Sequence, residues 1–244
     1  MSGGPEGIIF QSGGHNLLGA LYLGAGSGPR PTAVLLHGIP GLEKNTDIAY
    51  ALREAGWNTL IFHYRGSWGS EGEYTLPGIP DDVRAAFDAL ASGEYPIDAN
   101  RLALIGHSLG GWAAMVCAAR DLRVKAVVTI GGISNMRTWY LSTEQSIEYT
   151  RFLRGISAAE LQSQIRALGT TLNPVDLIGD MRPIPILIVH GDSDDLVVIE
   201  QARELHQASK EAAEMAVIEG ADHAFSRHRR QLVETVVGWL TRKL

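Results

Sequence analysis

Three segments of this 244-residue chain carry residue types that together can turn an ordinary hydroxyl into a nucleophile. Gly106-His107-Ser108-Leu109-Gly110 holds a serine between two glycines. His190-Gly191-Asp192-Ser193-Asp194-Asp195-Leu196-Val197 supplies three carboxylates, and Glu219-Gly220-Ala221-Asp222-His223 supplies an imidazole. A serine hydroxyl attacks a carbonyl poorly unless a base takes its proton, and the base needs a carboxylate to hold it in the right tautomer. On residue types alone, Asp192, Asp194 and Asp195 all qualify as the acid. His206 and His228 fall in stretches of helical pattern, where exposed or packing roles are usual, so His223 is the candidate base.

Each of these segments follows a short apolar run of strand length. Arg101-Leu102-Ala103-Leu104-Ile105 precedes the serine, and the Ala-rich run Trp112 to Ala119 after it favours a helix. A strand-to-helix turn this tight requires glycine at 106 and 110, since a Cβ there would strike neighbouring backbone. Ile186 to Val189 leads into the acidic segment, and Ala216 to Ile218 into the histidine segment. Further strands are expected at Ala33 to Leu36, Asn58 to Phe62 and Ala126 to Ile130, with a strand pair around Gly13-Gly14. Helices are expected over Thr46 to Ala55, from Pro80 through Leu90, over Ile199 to Ser209 and along the Leu232–Leu240 face. Apolar strands alternating with helices mean an α/β architecture, a mostly parallel central sheet covered on both faces. In such a sheet, groups at strand ends converge on one rim.

The segment from Ile130 to Ile186 is too long for one crossover. Ser157-Ala158-Ala159-Glu160 is a capping box, with Leu161, Ile165 and Leu168 on one helix face, and Trp139, Tyr140, Tyr149 and Phe152 lie just upstream. A two- or three-helix cap inserted after the sixth strand accounts for it, because a structureless loop of that length is rare. The expected division is a core over 1–132, a cap over 133–180 and the rest of the core over 181–244.

A net charge of −6 argues against a nucleic-acid surface, and the basic cluster Arg227-His228-Arg229-Arg230 suits the solvated start of the last helix. The single cysteine, Cys117, excludes an internal disulfide and a zinc motif and reads as a packing thiol. No apolar run reaches a membrane span, and Met1 to Gly7 has no secretory pattern, so a cytoplasmic protein without membrane partners is expected.

Taken together, these motifs resemble those of the α/β-hydrolases, across most of the chain from His37 to His223. Gly106 to Gly110 matches the nucleophile elbow, and Gly220-Ala221-Asp222-His223 matches the base loop. His190-Gly191-x-x-Asp194-x-x-Val197 matches the acid loop, and that register implies Asp194 as the acid. Asp192 and Asp195 are then turn residues bonded to their own backbone. His37-Gly38-Ile39 resembles the family's HGx element, which implies an oxyanion hole built from the Ile39 and Leu109 N–H groups; Pro40 has none to give.

His63 to Gly72 is similar to a loop of small bacterial esterases and acylaminoacyl-peptidase-like hydrolases. It implies bracing roles for Arg65 and Glu71 and substrate contacts from Tyr64 or Trp68. The resemblance implies a serine carboxylesterase acting on a small-molecule ester, feruloyl or cinnamoyl types among the candidates, with Trp139 and Tyr140 of the cap as further substrate-binding residues. A peptidase or amidase is the alternative, and a non-catalytic binding protein is disfavoured because all three catalytic residue types are present. No metal or organic cofactor is implied, and the sequence admits a homodimer.

Overall fold

The computed structural model describes residues 4–244; Met1 to Gly3, the start of the stretch read as lacking a secretory pattern, lie outside the described residues. Its strands are β1 (Glu6–Ser12), β2 (His15–Tyr22), β3 (Arg30–Leu36), β4 (Asn58–Phe62), β5 (Ile97–His107), β6 (Val124–Ile130), β7 (Ile186–Gly191) and β8 (Glu214–Ile218). They form one sheet in the order β1-β2-β4-β3-β5-β6-β7-β8. β2 runs antiparallel to β1 and β4, and every pairing from β4 to β8 is parallel. The parallel strands therefore deliver their C-terminal ends to one rim, where Ser108, Asp194 and His223 all follow.

Helices cover both faces. α1 (Thr46–Glu54) and α8 (Arg229–Lys243) pack on one, burying Ile48, Leu52, Leu232, Val236 and Trp239 against Leu35, Ile105 and Val128. On the other lie α2 (Ile79–Leu90), α3 (Leu109–Arg120) and α7 (Glu200–Ala208), packed on Val34, Leu104 and Ile188. Alternate strand residues thus feed two separate cores, and the central strands read as unbroken apolar runs because both faces are dry. Leu109 through Ala118 of α3 are all buried, because a third layer covers that helix.

That layer is the insertion between β6 and β7: α4 (Thr143–Thr150), α5 (Ala158–Thr171) and the single turn α6 (Pro174–Leu177). Ser157 caps α5 as its spacing predicts, its hydroxyl accepting from the Glu160 N–H, and Ser142 makes an equivalent box with Gln145. Leu161, Ile165 and Leu168 merge with the core over α3, and Trp112 Nε1 donates to the Leu172 carbonyl at 2.7 Å. The short helical cap after the sixth strand is therefore packed into the main body.

The largest boundary difference is β5, which starts at Ile97, ahead of the Arg101–Ile105 run. Arg30 pairs with Ile97 there, and polar Asp98 and Asn100 around an exposed Ala99 hide that start from an apolar pattern.

Candidate active site

β5 ends at His107 and α3 begins at Leu109, so Ser108 alone makes the turn, at φ 56° and ψ −121°. A residue with a Cβ is strained there by about 1–3 kcal/mol and persists only because its surroundings hold it. Its N–H donates to the Ile130 carbonyl at 2.9 Å, and its carbonyl accepts from the Gly111 and Ile133 N–H groups at 2.9 and 3.1 Å. A Cβ at Gly106 would collide with the backbone of Gly110, and one at Gly110 with the Leu36 carbonyl.

The acid loop shows what separates its three aspartates. Asp194 Oδ1 accepts from the Leu196 and Val197 N–H groups at 3.0 and 2.8 Å, and Oδ2 lies 2.7 Å from His223 Nδ1. The Asp194 side chain is wholly buried, so its charge is held by those bonds. The structure corrects the turn roles expected of the other two. Asp192 reaches across to the base loop, its Oδ1 accepting from the Gly220 N–H at 2.6 Å. Asp195 accepts no hydrogen bond among the described residues and borders the cavity beside Ser108. Asp222 accepts from the Ser226 N–H at 2.7 Å and so braces the turn that carries His223.

Three histidines hold the rim loops by donating to backbone carbonyls. His37 Nδ1 donates to Gly38 at 2.7 Å, His107 Nε2 to His223 at 2.9 Å and His190 Nε2 to Val197 at 2.7 Å. Burial depresses the pKa of each, to about 3 for His37 and His107, so they remain neutral and each keeps the tautomer its carbonyl demands. His107, inside the elbow, thus fixes the backbone of the residue whose ring sits 4.7 Å from its own.

Ser108 and His223 border one cavity of about 580 Å³, with Ile39 on its wall. No hydrogen bond joins Ser108 Oγ to His223 in this structure. Such bonds are often long in ligand-free enzymes and tighten around substrate. With Nδ1 committed to Asp194, Nε2 is the nitrogen left to take a proton. The Ile39 and Leu109 N–H groups donate to no acceptor among the described residues, and Leu109 opens α3, where the helix dipole favours developing negative charge.

The predicted substrate contacts divide. Trp139 and Tyr140 border the cavity. Tyr64 and Trp68 do not border it. Tyr64 is buried in the core and its hydroxyl donates to the His37 carbonyl at 3.1 Å, supporting the loop that carries Ile39. Trp68 Nε1 donates to the Pro40 carbonyl at 2.6 Å, and its ring stacks on Phe152 of the insertion with centroids 5.6 Å apart. The segment around it pairs with the insertion through Arg154 N–H to the Gly66 carbonyl at 2.7 Å, so this loop holds the cap. Arg65 and Glu71 brace it as expected: Arg65 Nε meets Asp82 at 2.6 Å, and Glu71 accepts from the Asn16 N–H at 2.8 Å.

Gln201 went unmarked by any motif. Its Oε1 accepts from the Ser134 and Asn135 N–H groups at 2.8 Å each, and its Nε2 donates to Thr138 Oγ1 at 2.9 Å. This buried amide fixes the chain as it leaves β6 for the cavity wall. The only sequence signal was its polarity among the apolar positions of α7. Among the described residues, no cluster of His, Cys, Asp and Glu is placed to hold a metal ion, and no helix is long and apolar enough to cross a membrane.

A serine elbow inside an eight-stranded, mostly parallel sheet, with acidic and histidine loops on the same rim, defines an α/β-hydrolase. Residues 45–244 match the prolyl oligopeptidase family (Peptidase_S9), and the chain belongs to that family. It is 24% identical to "Uncharacterized protein YfhR" of Escherichia coli K12 over 96% of its own length and 81% of that protein's. Among solved structures, the esterase domain of a Rhodothermus marinus protein is 26% identical, with a TM-score of 0.72 and 98% of both chains covered. Est1E from Butyrivibrio proteoclasticus, solved with ferulic acid bound, has a TM-score of 0.79 at 22% identity, covering 97% of this chain and 98% of that one, a likeness of fold. The family and these neighbours make the protein a serine hydrolase.

Proposed function

We propose that the protein is a carboxylesterase in which Ser108 is the nucleophile, His223 the general base and Asp194 the residue that orients it. The observation carrying this reading is the 2.7 Å contact from buried Asp194 to His223 Nδ1, which leaves Nε2 as the proton acceptor on a cavity shared with Ser108. Ser108 Oγ attacks the ester carbonyl carbon while its proton passes to His223 Nε2. The carbonyl oxygen becomes an oxyanion between the Ile39 and Leu109 N–H groups, each worth about 3 kcal/mol to the transition state. Collapse breaks the carbon–alkoxy bond, and His223 returns the proton to the departing alcohol. Water then attacks the acyl-enzyme, losing its proton to His223, and Ser108 is restored as the acid leaves.

An ester is favoured over an amide by the likeness of the whole chain to the Rhodothermus marinus esterase domain. Membership of a peptidase family keeps amide cleavage as the second reading. On either reading, residues 133–180 form the cap over the reacting groups. Initial rates on 4-nitrophenyl esters and aminoacyl 4-nitroanilides, for the native protein and Ser108→Ala, test the assignment. Ester turnover that vanishes in the variant is the expected result. An anilide rate equal to the ester rate would reverse the ranking, and undiminished turnover by Ser108→Ala would remove the mechanism.

A further inference from the structure

The cavity beside Ser108 carries a charge pattern that the cleavage chemistry leaves unused. Two carboxylates border it, Glu144 in the first turn of α4 and Asp195 in the acid loop, and no lysine or arginine does. Neither carboxylate takes part in an ion pair or accepts a hydrogen bond among the described residues. Some other carboxylates of this chain are held by cations: Asp82 by Arg65, Asp121 by Arg123 and Asp176 by Arg137. The α4 dipole favours an acidic residue at Glu144. Asp195 has no comparable structural reason, since it bonds to nothing in its own loop.

Rings share this cavity with the two charges. Trp139, Tyr140 and Tyr149 border the same space. The Trp139 indole is held by its Nε1 donating to the Leu196 carbonyl at 3.2 Å, and Tyr140 stands 79% exposed. Uncompensated carboxylates beside aromatic faces are the chemistry that recognises an ammonium, through Coulomb attraction and through the negative face of each ring. A substrate bearing a carboxylate in this cavity would be repelled, and a neutral one would gain no charge–charge attraction from either acidic residue.

We propose that the part of the substrate entering this cavity carries a positive charge, a protonated or quaternary amine, selected by Glu144 and Asp195 and by the rings of Trp139, Tyr140 and Tyr149. The inference rests on reading Ser108 and His223 as the reacting groups, and it names the class of ester or amide they receive. Two carboxylates each roughly 6 Å from a cation in a water-filled cavity give about a tenfold preference over an uncharged isostere.

The test separates binding from turnover. Ser108→Ala protein is titrated by calorimetry with choline and with its uncharged isostere 3,3-dimethylbutan-1-ol at low ionic strength. Choline is expected to bind about tenfold tighter, with the ratio falling towards one when Glu144→Gln and Asp195→Asn are added. Both positions are solvent-exposed, so these substitutions leave the fold intact. Equal or weaker binding of choline, no measurable choline binding, or a preference that survives the added substitutions overturns the proposal. In parallel, the native protein is assayed on acetylthiocholine and 3,3-dimethylbutyl thioacetate. Turnover of the neutral thioester without choline selectivity in the titration sinks this inference and leaves the esterase reading standing. Selective choline binding without turnover of either thioester leaves the cation-selecting cavity standing and counts against the ester reading in favour of the amide one.

Discussion

Replacing Asp194 by asparagine changes a single atom that faces His223, and the structure separates its effect on chemistry from its effect on folding. Oδ1 of Asp194 accepts from the Leu196 and Val197 N–H groups, and an asparagine oxygen can keep both bonds. The amide nitrogen then takes the place of Oδ2, 2.7 Å from His223 Nδ1. Being a donor, it forces Nδ1 to accept, which moves the ring proton to Nε2 and, in the mechanism proposed above, leaves Ser108 without a base. A wrong tautomer of this kind costs about 10⁴-fold in kcat, or about 5.4 kcal/mol of activation free energy. Asp194→Ala removes the ring contact and also strands two loop N–H groups, at about 1–3 kcal/mol each. Ester kinetics and thermal melts on both variants check the reasoning. Asp194→Asn should be nearly inactive with a Tm close to the native value, and Asp194→Ala should be inactive with a clearly lowered Tm. An asparagine variant retaining a tenth of native activity would refute the orienting role of Asp194. One that melts as low as the alanine variant would refute the account of the loop.

Acid should weaken the fold through its buried imidazoles. Burial holds His37 and His107 at pKa values of about 3, against about 6.5 when unfolded, so below pH 6.5 the unfolded chain binds protons that the folded one does not. The stability they contribute is complete above pH 6.5 and is lost as pH falls towards 3, at about 1.4 kcal/mol per pH unit for each residue within that window. Urea midpoints from pH 7 to 5 should fall accordingly, and His107→Gln should flatten the slope by one residue's share; an unchanged slope contradicts the assignment. Gln201→Leu leaves the buried Ser134 and Asn135 N–H groups without their acceptor, a loss of about 2–6 kcal/mol. Tm should drop by several degrees and KM should rise as the Thr138–Tyr140 wall loosens, whereas a Tm unchanged by the substitution contradicts this role.

The features legible along the chain are those settled within a few residues. The elbow at Ser108 follows from steric exclusion between adjacent turns, and the cap of α5 from Ser157 and Glu160 three positions apart. The apolar runs located the parallel strands, and the order of those strands placed Ser108, Asp194 and His223 on one rim. Register against a known pattern selected Asp194 where residue type alone left three aspartates equal. Matching that loop to a pattern did not show what the other two do, because an aspartate in a turn has the same local options wherever it sits.

Only the tertiary structure decided the rest, because partners distant along the chain decide where a polar side chain goes. Asp192 meets Gly220 from 28 residues away, and Gln201 meets Ser134 from 67. Tyr64 and Trp68 carry ring chemistry suited to a substrate, yet the packing turns one into the core beneath His37 and the other onto the insertion. Asp195 borders the cavity unpaired for the converse reason: among the described residues, no cation comes near enough to claim it. Local sterics and hydrophobic period specify backbone shape from neighbouring residues. The direction and pairing of a side chain are fixed only once the elements have packed, and there the chemistry of this rim was decided.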